Sequence, residues 1–98
     1  MTPEGKIQEK ITKHLKKEGW FVTKLMQTST NGIPDVLAVK MNQTLFIEVK
    51  TEKGRLSPLQ VARIKVLTET FHQWVLVAYG YEDFLTQYNK YKKANESN

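Results

Sequence analysis

The chain contains no cysteine, and this absence excludes several kinds of chemistry together. Disulfides, cysteine-ligated zinc and thiol nucleophiles all require that side chain. Long apolar runs are also lacking, since residues 44–49 and 74–79 are the longest and are far too short to span a bilayer. The opening Met-Thr-Pro-Glu contains no signal-peptide apolar core. We therefore expect a cytosolic protein without a membrane partner.

The length of the chain predicts one domain, because domains commonly contain roughly 50–200 residues. We assign residues 1–91 of the 98 to this domain and expect residues 92–98 to form a flexible polar tail. A core this small has little room for a separate cleft, so an active site must be built from core elements or shared across a dimer. Lys and Arg total 15 against 10 Asp and Glu, and the net charge of +5 favours a polyanionic partner.

Helix-start signals and turn residues divide the chain into seven elements. Thr2-Pro3 and Ser57-Pro58 each place an N-cap hydroxyl before a proline at the first helical position. The first helix is predicted to end at Gly19 and the second at about Phe71. The other predicted elements are strands at residues 20–26, 36–41, 45–49 and 74–79, and a last helix at residues 82–91.

The order α-β-β-β-α-β-α predicts an α/β fold with a mixed four-stranded sheet flanked by helices. Asn42-Gln43 is expected to join the second and third strands as a tight antiparallel hairpin. The fourth strand follows a helical crossover and should lie parallel to its neighbour. Because this strand is almost wholly apolar, we expect it to be buried on both faces.

Charged residues stand at one end of the predicted hairpin. Pro34-Asp35 begins one strand, and Glu48-Val49-Lys50 ends the next. Side chains alternate along a strand, so Glu48 and Lys50 share a face while Val49 points into the core. Hairpin pairing would bring Asp35 close to Glu48. A salt bridge between Glu48 and Lys50 without function is the simplest alternative, but two carboxylates beside an ammonium suit Mg²⁺ or Mn²⁺.

Phosphodiester hydrolysis is a reaction that such a site could catalyse. It requires a barrier reduction of about 20 kcal/mol, which a lone lysine does not supply. A divalent cation would activate a water and draw charge from the phosphate. Lys50 would orient or deprotonate that water and stabilise the developing charge.

Four motifs follow one another along the chain: Glu4-x-x-Ile7-Gln8, Gly32-Ile33-Pro34-Asp35, Phe46-Ile47-Glu48-Val49-Lys50 and Gly54-Arg55-Leu56-Ser57-Pro58-Leu59-Gln60. Together they resemble the virus-type replication-repair nuclease (VRR-NUC) domain. That family belongs to the PD-(D/E)XK, or restriction-endonuclease-like, superfamily. The resemblance extends from Glu4 to about Leu85 and implies a restriction-endonuclease-like core.

The resemblance implies that Asp35 and Glu48 are metal ligands, with the Val49 backbone carbonyl as a third, and that Lys50 is the catalytic lysine. It also implies action on branched DNA in repair or recombination. Stand-alone phage and bacterial members resemble Holliday-junction resolvases that act as homodimers. We therefore expect a homodimer in the cytoplasm of a bacterial or phage-infected cell, with Mg²⁺ or Mn²⁺ as its only cofactor.

Two further residues are candidates for the active site. Glu4 falls within the apolar stripe of the first helix and Glu9 on the opposite side, so Glu4 is predicted to reach the cation, directly or through water. Its alternative role is that of a favourable acid in a helical first turn. Gln60 lies on the apolar side of the second helix. Its amide is satisfied by nearby backbone, or it contacts the metal-bound water or the phosphate.

Phosphate-positioning residues are predicted near the same end of the sheet. The candidates are Lys24, Lys53, Arg55 and Ser57. His14 is expected to pack in the core. The lysines of the first helix can simply form the solvent-exposed side of that helix. Three other functions stay open: a less selective nuclease of flap or single-stranded DNA, a non-catalytic DNA-binding module, and a ribonuclease.

Overall fold

The computed structural model describes residues 1–96 as helices packed around one four-stranded sheet. The elements are α1 (Pro3–Lys17), β1 (Phe21–Lys24), β2 (Val36–Lys40), β3 (Gln43–Lys50), α2 (Pro58–Lys65), a π-helical turn (Val66–Thr70), β4 (Trp74–Tyr79) and α3 (Tyr81–Ala94). The predicted order α-β-β-β-α-β-α is confirmed. No helix in this part of the chain has the length and apolar character needed to cross a membrane.

Local capping chemistry explains where α1 and α2 begin. The Thr2 hydroxyl accepts a hydrogen bond from the Gly5 backbone N at 3.0 Å, and the Ser57 hydroxyl accepts one from the Gln60 backbone N at 3.1 Å. Each cap satisfies a helical N–H that would otherwise lack a partner and contributes about 1 kcal/mol. After α1, Gly19 takes a φ of +93°, which turns the chain toward β1.

The sheet has the strand order β1-β2-β3-β4. β1 and β3 both run antiparallel to β2, while β4 runs parallel to β3. The predicted antiparallel hairpin is confirmed, but its turn is Met41-Asn42 rather than Asn42-Gln43, because Gln43 already pairs with Lys40. Met41 takes a φ of +57° in this turn. This topology brings the start of β2 and the ends of β3 and β4 to the same end of the sheet. The antiparallel pairing of β2 with β3 therefore brings Asp35 to the end of β3 that carries Glu48 and Lys50.

The hydrophobic core fills one face of the sheet, against α1 and α3. Apolar side chains that alternate along β2, β3 and β4 point into it, as the period of two residues requires. Its buried residues are Val36, Ala38, Leu45, Ile47, Val49, Leu76 and Ala78 from these strands, and Ile11, Leu15, Trp20, Phe84, Tyr88 and Tyr91 from outside the sheet.

The second face of the sheet is less well covered, and the prediction that β4 is buried on both faces is wrong. Leu76 and Ala78 are buried, but Val75 and Val77 on the other face are only partly buried. The reason is that α2 contains no buried residue and shields this face incompletely. The second helix also ends earlier than predicted, because the chain passes into the π-helical turn after Lys65.

A polar network joins α1 to α3. The Tyr88 hydroxyl accepts a hydrogen bond from Trp20 Nε1 at 2.8 Å and donates one to Glu18 Oε1 at 2.7 Å. Burial opposes ionisation of Glu18, but the hydrogen bond from Tyr88 and the nearby Lys92 and His14 together outweigh it, so the pKa of Glu18 is lowered. His14 lies 3.2 Å from Glu18 with its ring edge-on to Tyr88, a position that fits the predicted packing role.

Helix α3 continues to Ala94, three residues beyond the domain boundary predicted at residue 91. Residues 92–94, which were expected to belong to the polar tail, are therefore helical. Residues 97–98 of the predicted tail lie outside the described residues.

Candidate active site

Glu48 is a buried acid near the end of β3. Its side chain lies on the second face of the sheet, opposite Ile47 and Val49, and only 1% of the residue is exposed. This is the face predicted from the alternation of side chains. A buried carboxyl group is costly unless hydrogen bonds or opposite charges compensate for lost water. The groups around Glu48 therefore determine its ionisation.

Asp35 meets Glu48 from the neighbouring strand. Val36 pairs with Ile47 across the antiparallel ladder, which places Asp35 opposite Glu48. The Asp35 carboxylate oxygen Oδ2 accepts a hydrogen bond from the Val49 backbone N at 2.8 Å. This bond holds Asp35 at the end of the sheet, where its carboxylate acts on the ionisation of Glu48. The predicted approach of the two carboxyl groups is thus present in the fold.

The contact between the two acids strongly perturbs Glu48. Burial first, and then the charge and hydrogen bond of Asp35, raise the pKa of Glu48 from 4.5 to about 8, while Lys50 opposes the rise. The other carboxyl oxygen, Glu48 Oε1, is buried without a hydrogen-bond partner among the described residues. Carboxylate oxygens are preferred ligands of Mg²⁺ and Mn²⁺. Asp35 and Glu48 therefore fit a hard divalent cation.

Glu4 does not complete a cluster of three acids. No three His, Asp or Glu side chains in the described part of the chain lie close enough to hold an ion by themselves. Glu4 is exposed, rather than within the buried stripe as predicted, because burial fades toward the start of α1. Its charge contributes least among the named influences on the pKa of Glu48. A role for Glu4 through water stays a prediction, as does ligation by the Val49 carbonyl.

Lys50 lies on the same face of the sheet as Glu48. Its Nζ is 3.9 Å from Glu48 Oε2, and its side chain is 13% exposed. A glycine packs against its stem, since a Cβ on Gly54 would lie 3.2 Å from the Lys50 Cβ and 3.3 Å from its Cδ. The ammonium is therefore positioned by the turn after β3. A simple ion pair between Lys50 and Glu48 would not explain why Asp35 is also held against Glu48.

Gln60 connects the start of α2 to the buried acid. Its Nε2 donates a hydrogen bond to Glu48 Oε2 at 3.2 Å, and its Oε1 accepts one from the Ser57 backbone N at 2.9 Å. Backbone therefore satisfies the amide oxygen and Glu48 its nitrogen, while contact of Gln60 with a metal-bound water or the phosphate stays a prediction. The Ser57 hydroxyl caps α2, and its predicted phosphate contact stays a prediction.

The loop before β2 anchors α2, a feature that the sequence analysis missed. Arg63 Nε donates a hydrogen bond to the Asn31 backbone O at 2.9 Å. Gly32 has a φ of +84°, and a Cβ there would lie 2.9 Å from Leu59 Cγ. Glycine permits both this backbone conformation and this close approach. The Asn31-Gly32 turn signal could have indicated Gly32, whereas the periodicity of α2 gave no signal for Arg63. This anchor fixes Gln60 relative to the loop.

The residues predicted to contact phosphate do not all lie on the side of the sheet that carries Glu48. Lys53 and Arg55 are exposed in the loop between β3 and α2, close in sequence to Lys50. Lys24 pairs with Val36 and so shares its face of the sheet, which is opposite that of Glu48. The structure therefore does not bring Lys24 into the cluster around Glu48.

The fold and this constellation together define a class of protein. An α-β-β-β-α-β-α core with Asp35 beside Glu48-Val49-Lys50 is that of a restriction-endonuclease-like nuclease. Comparison with protein families gives the same answer, since the VRR-NUC domain matches residues 2–80. The chain belongs to the VRR-NUC family and is a nuclease of the PD-(D/E)XK type, a hydrolase with DNA as its substrate. No curated protein matches the chain significantly.

Proposed function

We propose that this nuclease is a divalent-cation-dependent, structure-selective endonuclease that cuts branched DNA, four-way junctions above all, as a homodimer. The observation that carries the cation requirement is the contact of Asp35 with Glu48, whose Oε1 is buried and unpartnered among the described residues. Two acids in this arrangement repel one another once both are ionised. A divalent cation would remove that conflict.

Asp35 and Glu48 would hold Mg²⁺ or Mn²⁺. When bound, the cation would lower the pKa of a coordinated water and withdraw negative charge from the phosphate. Gln60 fixes Oε2 of Glu48 through its amide, which leaves Oε1 free to act as a ligand. The Lys50 ammonium stabilises negative charge that develops on the scissile phosphate. Its low exposure strengthens this effect, because water screens the charge less.

Support for a homodimer comes from the second face of the sheet. Leu37, Phe46 and Val75 form a row across the strands there and are only partly buried. Phe21 of β1, which pairs with Val39 on the same face, is 69% exposed. Adjacent exposed apolar side chains commonly mark protein interfaces. A second copy of the chain would cover them. A two-fold axis would also pair two active sites, as symmetric cuts in a junction require.

Sedimentation equilibrium tests the dimer, with twice the chain mass of 11.4 kDa as the expected result. Phe21→Glu should yield monomers, because it places a charge at the proposed interface. Met41→Glu, at an exposed position in the hairpin turn, is the matched control and should leave the dimer intact. A wild-type mass of one chain would contradict the proposal.

Cleavage assays test the substrate. End-labelled four-way junctions, flaps and linear duplexes are incubated with Mg²⁺ or Mn²⁺ at matched salt, and the junction should be cut fastest. Asp35→Ala should lose cleavage and keep binding, whereas Glu69→Ala, an exposed acid of the π-helical turn, should behave like the wild type.

Each other result of these assays has a clear meaning. Preference for flaps or linear DNA would indicate the less selective nuclease. Unchanged function of Asp35→Ala would indicate a non-catalytic binding module, and preference for matched RNA substrates would indicate a ribonuclease. Intact junctions with both metals would refute the proposed function.

A further inference from the structure

A groove of about 540 Å³ begins where β3 ends, between the starts of α1 and α3. Ile7 and Tyr81 form its apolar part, and both pack against the hydrophobic core. Residues 51–53, which follow Lys50 directly, form one wall, so the groove lies at the end of β3 that carries Lys50. Three exposed lysines also line it: Lys6, Lys10 and Lys53.

Lysines of α1 continue from this groove in a single line, the lysine ridge. Its members are Lys6, Lys10, Lys13 and Lys17, all exposed. Their spacing of i, i+4, i+7 and i+11 confines them to an arc of about 60° on the helix surface, over a length of about 16 Å. A second groove of about 470 Å³ runs along the ridge and shares Lys10 and Tyr81 with the first. The two grooves therefore form one continuous basic path.

This arrangement does not serve the stability of α1. Like charges three or four residues apart destabilise a helix, and each lysine of the ridge has such a neighbour. Acidic residues offset only part of this positive charge. Glu9 lies 3.8 Å from Lys13, and Glu52 and Glu82 line the grooves. With Lys53 included, five lysines face these three acids. Such a surplus beside a phosphodiesterase site favours phosphate groups as the ligand.

We propose that the lysine ridge and the groove at its start bind the sugar–phosphate backbone of the DNA arm that leads away from the cleaved bond. This inference rests on the proposed function, because it describes where the cleaved DNA lies on the protein surface. One strand of duplex DNA carries a charge roughly every 3.4 Å, so a ridge of about 16 Å faces about five phosphates. Contacts of this kind position DNA without reading its sequence, as recognition of branch geometry requires.

Binding of a fluorescent four-way junction, measured by anisotropy in EDTA from 0.05 to 1 M salt, tests the inference. The ridge variant carries Lys10→Gln, Lys13→Gln and Lys17→Gln. The control variant removes the same charge elsewhere, through Lys65→Gln, Lys90→Gln and Lys93→Gln, all exposed positions of α2 and α3. A third variant replaces the three ridge lysines by arginine and keeps their charge.

Each lost phosphate contact should reduce the slope of log K against log salt by about 0.9, so the ridge variant should lose roughly 2–3 units of slope. Its affinity should fall roughly 100- to 1000-fold at 0.1 M salt and approach the wild-type value near 1 M. The control variant should change affinity less than about threefold, and the arginine variant should bind like the wild type. Circular dichroism verifies that all variants are folded.

The outcomes separate this inference from the proposed function. Equal losses in the ridge and control variants would overturn the inference, while junction cleavage by the wild type would leave the proposed function standing. A selective loss in the ridge variant would support the inference even if the wild type cut no DNA. A wild-type chain that binds no DNA would overturn both.

Discussion

Replacing Glu48 by glutamine should stabilise the metal-free protein at alkaline pH while it abolishes cleavage. Burial and the neighbouring Asp35 raise the pKa of Glu48 from 4.5 to about 8 in the folded chain. A carboxyl group with a raised pKa favours folding while it is protonated. This contribution is complete below pH 4.5 and is lost as the pH rises through about 8. Above that pH, the wild type must hold two ionised carboxylates in contact.

The pKa difference sets the size of the effect. One pKa unit corresponds to about 1.4 kcal/mol, so a rise from 4.5 to about 8 corresponds to at most about 5 kcal/mol. Relaxation and entry of water reduce such costs in proteins, and we therefore expect about 2–3 kcal/mol. Glutamine keeps the shape of Glu48, retains an acceptor for Gln60 and provides an N–H donor for Asp35. Glu48→Gln should gain this amount at pH 9 and nearly none at pH 5.

Urea denaturation in EDTA at pH 5, 7 and 9 measures the difference in the free energy of unfolding. Glu52→Gln removes an exposed acid from the neighbouring loop and is the matched control. It should change the free energy of unfolding by less than about 0.5 kcal/mol at every pH. If Glu48→Gln is no more stable than the wild type at pH 9, Glu48 ionises without strain and the reasoning about this site is refuted.

Three further substitutions test the positioning of Lys50 and the core. Lys50→Ala should slow DNA cleavage at least about 100-fold with little change in DNA affinity, and a rate within tenfold of wild type would show that the ammonium is dispensable. Gly54→Ala should slow cleavage about tenfold in the same assay because its Cβ displaces the Lys50 stem. A wild-type rate would show that Gly54 does not position Lys50. Phe84→Ala removes a fully buried ring stacked on Tyr88 and should cost about 3–5 kcal/mol in urea denaturation. A cost below about 1 kcal/mol would contradict the described core.

Features governed by neighbouring residues were predictable from the sequence. Thr2-Pro3 and Ser57-Pro58 marked the helix starts because a cap requires only its own hydroxyl and the next backbone N–H groups. The approach of Asp35 to Glu48 followed from a tight turn and strict alternation of side chains along paired strands. These contacts depend on local geometry, which the order of residues determines directly.

Burial and contacts that depend on how distant elements pack against each other could not be predicted from the sequence. The apolar sequence of β4 indicated burial on both faces, but composition does not reveal that α2 leaves one face half-covered. The helical stripe of α1 placed Glu4 inside, although burial fades toward the start of that helix. The contact of Arg63 with Asn31 joins residues far apart in sequence, and no local pattern encodes it.

Cleavage of a labelled four-way junction by the wild type and by Glu48→Gln, each in Mg²⁺ and in EDTA, tests the central claim most directly. That claim is that Asp35, Glu48 and Lys50 form one cation-dependent hydrolytic site. Cutting should occur only with the wild type and only in Mg²⁺. Cutting in EDTA, or a wild-type rate from Glu48→Gln, would contradict it.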